Sequence, residues 1–569
     1  MTVVGWIQIA VLFLAVLAVT KPLGLYMYKV FAGERTWVTP VVQPVESLFY
    51  RVAGVDASRE QGWLRYAVSV LLFSLAGLVL TYVILRLQGG HPWNPQDFGA
   101  VKEDLAFNTA VSFTTNTNWQ AYGGESTMSY FSQMTGLAVH NFTSAATGIA
   151  VAIALVRGIA RRRSDEIGNF WVDMTRAILY ILLPISFIGA LFLVWQGVPQ
   201  NLDGYTVAGG IDGFSQTIAQ GPVASQEFIK ELGTNGGGFF NANSAHPYEN
   251  PNALTNFVEM LAILAIPAAL TYTFGRFVGN QRQGWTVFAA MSILYLLAVG
   301  ACYWAETDAN PALEGLEIDQ SVGNLEGKET RFGVTLSALF AVTTTVTSCG
   351  AVNSMHDSFN ALGGLITMAD IQLGENIFGG VGSGLYGILF VALLAVFLAG
   401  LMVGRTPEYI GKKVQSCEIR MVAIAILIFP ATILLMTGAA AASEWGTATL
   451  NNGGPHGFSE MLYAFTSATG NNGSAFAGIT VNTGFYNSAL GFAMLIGRFL
   501  IIVLTLAVAG SMARKQPAPP SLGTFPTTGG LWVGLLVGVL LIVGLLTFFP
   551  ALALGPIVEH FVGNNGTTF

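Results

Sequence analysis

The sequence predicts an all-α integral membrane protein of ten transmembrane helices, built around four pseudo-symmetric units in which a half-length helix lies between two full spans. Three observations predict it. Of the 569 residues, 53% are apolar and only 10% charged, too little charge to clothe the surface of a water-soluble multidomain chain. Apolar stretches of about twenty residues, the length that crosses about 30 Å of hydrocarbon, recur from end to end. Polar tracts rich in Gly, Asn and Thr return at a near-constant interval between pairs of those stretches.

The first stretch, Val3 to Val19, has no basic residue before it and no small-x-small cleavage site ahead of Lys21, so it reads as a span rather than a removable leader. The others run from Tyr66 to Leu85, Phe131 to Val156, Ala177 to Trp195, Ala253 to Phe274, Trp285 to Ala305, Leu385 to Val403, Met421 to Ala442, Ala489 to Ala509 and Leu531 to Leu554. Basic residues cluster at Lys21, Lys29, Arg35, Arg51, Arg59 and Arg65, at Arg157, Arg161 to Arg163 and Arg176, at Arg276 and Arg282, at Arg405, Lys412, Lys413 and Arg420, and at Arg514 and Lys515. These clusters alternate with basic-poor segments. Short cytoplasmic loops retain Lys and Arg, which places the clusters on the cytoplasmic side and both termini outside. The resulting division is 1–60 for the first span and a cytoplasmic loop, 61–165, 166–283, 284–418 and 419–517 for the repeats, and 518–569 for the last span and tail.

The net charge is −7, with acids concentrated in the outward segments at Asp203, Asp212, Glu306, Asp308, Glu314, Glu317 and Asp319. Such a distribution either favours cations near the mouth or simply solubilises the loops, and it argues against a nucleic-acid partner. Cys302, Cys349 and Cys417 are too scattered to suggest a disulfide framework or a cysteine zinc site.

The tracts read Thr114 to Gln120 (TTNTNWQ), Gly233 to Phe240 (GTNGGGFF), Thr347 to Val352 (TSCGAV) and Thr469 to Phe476 (TGNNGSAF). Taking Asn116, Asn235, Cys349 and Asn472 as equivalent points puts them 119, 114 and 123 residues apart, the mark of a repeated unit. A short helix is expected before each tract, over Asp104 to Phe113, Ser225 to Leu232, Phe332 to Val346 and Ser459 to Ala468, with Asp104, Ser225 and Ser459 as N-caps. Irregular backbone at membrane depth survives only where it is buried in protein or lines a watery path, so the tracts belong together around one axis. Gly236, Gly350 and Gly473 permit backbone angles that a Cβ resists, which lets carbonyls line that axis. Carbonyl rings replace the hydration shell of potassium, and the half-helix C-termini add negative dipole at the same centre. The units are thus helix, pore half-helix and helix, of potassium-channel type. A calcium or magnesium site would need several carboxylates at each level, and the tracts contain none.

Over essentially its whole length the chain resembles the potassium-binding, channel-like component of the Kdp potassium-transporting ATPase, the KdpA family. The resemblance rests on SFTTNTNWQ (Ser112 to Gln120), GTNGGGFFNANSAHPYENP within Gly221 to Pro251, GKETRFGV, TSCGAV and MHD within Glu326 to Asp357, FGGVGSGLY (Phe378 to Tyr386), GRTPEYIGKK (Gly404 to Lys413) and NNGSAF (Asn471 to Phe476). It departs at Gly470, where Asn is expected, and at Asp370, where an apolar residue is expected. Carried over by position, the resemblance implies a potassium filter of Thr115, Asn116 and Thr117; Thr234, Asn235 and Gly236; Ser348, Cys349 and Gly350; and Asn471, Asn472 and Gly473, with Gln120 at its outer edge. It also implies a multi-pass protein of the bacterial inner membrane that binds external potassium and hands it through an intramembrane tunnel to a P-type ATPase partner, KdpB, with the accessory membrane proteins KdpC and KdpF. The chain has no G-x-x-x-x-G-K-[ST] loop and no Asp-Lys-Thr-Gly motif, so no nucleotide is expected on it and it is not itself expected to be an enzyme. The competing reading is a self-sufficient potassium channel or ion-coupled potassium symporter of the same four-repeat superfamily.

Arg498 lies inside an apolar run, where an unpaired cation costs several kcal/mol, and by the resemblance it sits beneath the filter as a barrier to leakage; the plainer alternative is an Arg snorkelling to the interface. Gly374 to Tyr386 carries too much glycine for an unbroken helix, so Gly379, Gly380 and Gly382 mark either a gate, with Glu375 as a cation contact, or a close helix-packing face. His356 and Asp357 are read as hydrogen-bonding loop residues rather than catalytic ones. GRTPEYIGKK reads equally as a partner-docking loop or an ordinary positive-inside loop.

Overall fold

A computed structural model describes residues 1–374, 376–519 and 523–566. Among them, ten helices are long and apolar enough to cross a membrane: Val3–Ala32, Trp63–Arg86, Ser132–Ala160, Phe170–Trp195, Ala253–Phe277, Gln281–Leu313, Ser383–Val403, Ser416–Ala441, Gly484–Arg514 and Gly530–Gly563. Each expected stretch lies largely within one of them. The first runs further than expected, so Lys21 and Lys29 ride on the helix rather than in a loop, and only Gly33, at φ 76°, ends it. Apart from three two-stranded antiparallel ladders the described chain is helical or irregular.

Each half-helix packs against the spans of its own unit: Glu103–Thr114 beside Trp63–Arg86, Val223–Leu232 between Leu183–Trp195 and Ala253–Phe277, Gly333–Val346 beside Gln281–Glu306, and Gly454–Thr469 between Ser416–Ala441 and Gly484–Leu495. Within the first two units the second span is the more enclosed. In an apolar 18-residue stretch of each helix, 89% of residues are buried in Ser132–Ala160 against 22% in Trp63–Arg86, and 72% in Ala253–Phe277 against 39% in Phe170–Trp195. The second spans therefore form an inner ring, which explains their small residues and their tolerance of buried polar side chains such as His140, Asn141 and Glu259. Val3–Ala32 lies outside the ring along Ala253–Phe277, and Gly530–Leu552 lies along Gln281–Glu306.

The N-cap expectations fail. The half-helices begin at Glu103, Val223 and Gly454 behind Lys102, Pro222 and Gly453, with no side-chain cap. Asp104 falls in the first turn and accepts from Asn487 Nδ2 at 3.1 Å, the Ser225 N–H donates to Gln200 Oε1 at 2.9 Å, and the Ser459 hydroxyl donates back to the Pro455 carbonyl at 3.0 Å. Tertiary partners and not local capping start these helices. Glu306, expected among the outward acids, is instead fully buried and pairs with Lys328 Nζ at 2.8 Å.

Candidate ion filter

All four half-helices stop inside the protein, at buried C-caps Thr115, Gly233, Thr347 and Gly470, and the tract beyond each turns through two residues of positive φ separated by one residue. The pairs are Asn116 (67°) and Asn118 (55°), Thr234 (46°) and Gly236 (84°), Ser348 (49°) and Gly350 (87°), and Asn471 (51°) and Gly473 (95°). This pattern corrects the alignment of the first tract by one residue. Thr117, and not Asn116, is equivalent to Asn235, Cys349 and Asn472; Thr115 is a helix cap, and Asn118 stands where the other tracts have glycine. Backbone bonding agrees, because the N–H groups of Thr117, Asn235, Cys349 and Asn472 all turn back to a carbonyl in the last turns of their own half-helix, those of Ser112, Lys230, Thr344 and Ser467. The first tract disguised this because Asn tolerates the left-handed region that otherwise selects glycine.

The tracts close a ring. A Cβ on Gly236 would sit 1.9 Å from the Cys349 carbonyl oxygen, one on Gly350 would sit 2.3 Å from that of Asn472, and one on Gly473 would sit 1.9 Å from that of Thr117. The circuit is completed by Asn116 Nδ2, which donates to the Thr234 carbonyl at 2.9 Å. Side chains brace the same junctions: Asn471 Nδ2 donates to Thr117 Oγ1 at 2.9 Å, and Asn472 Nδ2 to the Thr344 carbonyl at 3.0 Å. Gln120, half-buried, bridges the first tract to the second by donating to the Gly238 carbonyl (2.9 Å) and accepting from its N–H (3.0 Å). Among the described residues, the carbonyls of Thr117, Asn235, Cys349 and Asn472 accept no hydrogen bond, although all four residues are buried. Buried carbonyls are almost always paired, so four unpaired ones at equivalent positions of the four tracts set this ring apart from ordinary buried backbone.

Behind the second tract lies a charged cluster that sequence reasoning missed. Lys230, fully buried, donates to Glu227 Oε2 at 2.7 Å, to Asn243 Oδ1 at 3.0 Å and to Glu249, while the carbonyl of the same residue receives the tract's Asn235 N–H at 2.7 Å. Asn243 Nδ2 in turn donates to the Gly236 carbonyl at 2.6 Å and Glu249 Oε1 accepts the Phe240 N–H at 2.7 Å. Polar residues on a short helix look solvent-facing in a sequence, and only the pairing of Glu227 with Lys230 at helical spacing hinted otherwise.

Beneath the ring the structure gathers the remaining candidates. The helix expected to break does so, between Ala361–Gln372 and Ser383–Val403, and the intervening glycine segment presses upward: the Gly379 N–H donates to the Val346 carbonyl at 2.9 Å and the Val381 N–H to Thr234 Oγ1 at 2.9 Å. A Cβ on Gly380 would meet Ser383 Oγ at 2.6 Å, and one on Gly382 would meet the Gly148 carbonyl at 2.0 Å. Glu375 lies outside the described residues. Arg498 sits on a π-helical turn, Ile496–Leu500, is 5% exposed, and donates to the Ser144 carbonyl at 3.3 Å; it is enclosed rather than snorkelling. A Cβ on Gly148 would lie 2.4 Å from the Val381 carbonyl and 3.2 Å from Arg498 Nη2, so glycine loop and arginine converge on one point below the tracts. A cavity of about 100 Å³, lined in part by Gly374, Asn376, Ser383, Thr469, Asn471 and Gly497, opens beside the fourth tract. Asp370 is buried next to Thr345. The GRTPEYIGKK stretch is partly internal, with Tyr409 buried and Lys412 Nζ donating to the carbonyls of Gly158 (2.9 Å) and Met512 (2.7 Å).

Four half-helices ending at one ring inside an inner circle of spans define a multi-pass membrane protein of the four-repeat ion-transporter type. The fold is shared with a solved structure, the potassium transporter TrkH from Vibrio parahaemolyticus, at a TM-score of 0.51 over 88% of this chain and 98% of that one, with 16% identity. A family model described as potassium-transporting ATPase A subunit (KdpA) matches residues 10–561, and the chain belongs to that family. Among its relatives, the potassium-transporting ATPase potassium-binding subunits of Bradyrhizobium diazoefficiens (59% identical, all of both chains) and Methylobacterium nodulans (60% identical, all of this chain and 99% of that one) align along the entire length.

Proposed function

We propose that this chain is the potassium-selecting subunit of an ATP-driven uptake complex in a bacterial inner membrane, with both termini outside. The observation that carries the reading is the ring of unpaired carbonyls at Thr117, Asn235, Cys349 and Asn472. Four half-helices aim their C-terminal ends at that ring, and no carboxylate stands within the tracts to favour a divalent ion. Potassium enters from the side on which the half-helices begin, exchanges water for carbonyls, and meets Arg498 and the glycine segment below. That arrangement opposes free conduction along the axis and suits delivery through the side cavity to a P-type ATPase partner, KdpB, within a complex that includes KdpC and KdpF. The chain itself hydrolyses nothing.

The test is potassium-dependent thermal stability of the purified chain against a sodium control, together with recovery of a large subunit bearing the phosphorylation motif from native membranes. Potassium alone should raise the melting temperature, as a ligand bound only by the folded state does. Equal responses to both ions would overturn the filter. Rapid potassium flux through vesicles containing this chain alone would replace the complex with a self-sufficient channel or symporter.

A further inference from the structure

At the far end of the fourth half-helix, about 20 Å from its filter end by helix rise, three segments bring ligating side chains to one point. His456 and Glu460 stand one turn apart on Gly454–Thr469, Asp357 comes from the loop after the third tract, and Glu559 comes from the last helix. The His456 ring nitrogens face different partners, Nδ1 lying 2.7 Å from Glu559 Oε1 and Nε2 lying 3.0 Å from Asp357 Oδ1. One ligand atom each from Asp357, His456 and Glu460 falls within 4.8 Å of the other two.

Glu460 makes this more than a surface cluster. It is fully buried, and among the described residues neither carboxylate oxygen has a well-aligned hydrogen-bond donor. Its polar backbone neighbours are the N–H groups of Asn451 and Asn452, of which that of Asn451 is committed to the Gly478 carbonyl at 3.1 Å and that of Asn452 reaches the carboxylate only in poor alignment. A Cβ on Gly478 would lie 2.4 Å from Glu460 Oε1 and 2.5 Å from Asp357 Oδ1, so the absence of a side chain there leaves the room in which the two carboxylates face each other. A cavity of about 380 Å³, lined among others by Asp357, His456, Glu559 and Asn310, gives access from outside.

We propose that Asp357, His456 and Glu460 bind a divalent transition metal of zinc's chemistry. One imidazole nitrogen with two carboxylates, and an open fourth position toward the adjoining cavity, is a zinc-type donor set; calcium and magnesium demand more oxygens. Glu559 accepts the Nδ1–H and so presents Nε2 to the ion, the carboxylate–histidine–metal relay that orients such ligands. Tetrahedral bonds of about 2.1 Å place ligand atoms about 3.4 Å apart, within the spacing already present. The ion would tie the loop after the third tract to the fourth half-helix. That loop already holds the fourth tract, since the Asp357 N–H donates to the Phe476 carbonyl at 2.8 Å.

The experiment uses the full chain without an affinity tag, stripped with chelator in lipid nanodiscs, at one fixed pH and saturating potassium. Zinc chloride is titrated by calorimetry with elemental analysis of the retained metal, in wild type, His456→Asn, Glu460→Gln and Glu559→Gln. One zinc per chain should bind at micromolar or tighter Kd, raise the melting temperature, and weaken at least 30-fold in the first two variants. Glu559→Gln should weaken it about 10-fold while retaining it. The potassium-dependent melting shift reports that each variant is folded, and cobalt absorption of tetrahedral type in wild type supplies a readout independent of any variant. Stoichiometric zinc that survives unchanged in Glu460→Gln, no saturable zinc in wild type, or equal binding of calcium would each overturn the site, leaving His456 as a plain ion-pair partner of Asp357 and Glu559.

Discussion

Replacing Gly473 by Ala tests whether backbone at the tract junctions, rather than side-chain chemistry, builds the ion site. At φ 95° the added methyl costs about 1 kcal/mol of backbone strain. It would also stand 1.9 Å from the Thr117 carbonyl oxygen, where ordinary contact begins near 3.4 Å, so one of the four carbonyls proposed as ligands must move away. Overpacking of this kind costs about 1–3 kcal/mol. The combined penalty of about 2–4 kcal/mol falls on the arrangement that binds the ion, which corresponds to a potassium Kd about 30-fold to 1,000-fold weaker. At a potassium concentration about 100 times the wild-type Kd, stabilisation of about 2.7 kcal/mol would shrink to about 0.4 kcal/mol if Kd rises 100-fold. The assay is the melting temperature of the purified chain across a potassium series with sodium balancing ionic strength. Gly333→Ala is the control: its φ of 64° imposes the same strain, but no atom lies within 4 Å of the new methyl, so it should lower the baseline by about 1 kcal/mol and keep the potassium response. An undiminished potassium response in Gly473→Ala would refute the claim that the Thr117 carbonyl is a ligand.

Other outcomes follow from the same structure. Asn118→Leu, which forces a branched side chain onto backbone at φ 55°, should abolish potassium-dependent stabilisation, whereas Thr115→Val on the helix cap should change the potassium Kd by less than about tenfold; the reverse ranking would restore the uncorrected alignment. Lys230→Met strands Glu227 and Glu249 in a fully buried site and should cost about 3–5 kcal/mol of stability by thermal unfolding, with partial recovery when Glu249→Gln is added. Arg498→Gln should raise passive potassium leak into proteoliposomes about tenfold to a hundredfold, the order of barrier that one nearby positive charge sets at an effective dielectric of about 20; a leak equal to wild type would make Arg498 a structural residue. On the opposite face, the Arg161 guanidinium holds the Glu60 carboxyl below its ordinary value despite partial burial. A depressed folded-state value contributes stability above the unfolded value near pH 4.3 and loses it as pH falls through the lower one, so wild type should lose its small margin over Glu60→Gln between about pH 5 and pH 3, by about 0.5 kcal/mol because the pair is half-exposed.

Span number, the half-helices and the existence of repeats were legible in the sequence because each depends on short-range pattern: about twenty apolar residues make a span whatever surrounds them, and a polar glycine-rich tract at membrane depth has few other uses. The site was legible in part. Three tracts announce their key position with glycine, but in the first the position belongs to Asn118, and only the φ values reveal it. The convergence of Arg498 with Val381 below the tracts joins residues more than a hundred positions apart; the resemblance placed Arg498 beneath the filter, but nothing in the sequence joined it to the glycine segment.

By itself, then, the sequence determined the membrane class, the number of spans and the family, since hydropathy and motif spacing are local properties that survive without coordinates. Tertiary structure alone decided which tract backbones meet, which charges are buried and which acids gather around His456. Those depend on how distant segments approach one another: Glu306, Glu227 and Lys230 carry the composition of solvent-facing residues, and only the packing of neighbouring helices removes them from water and obliges them to pair.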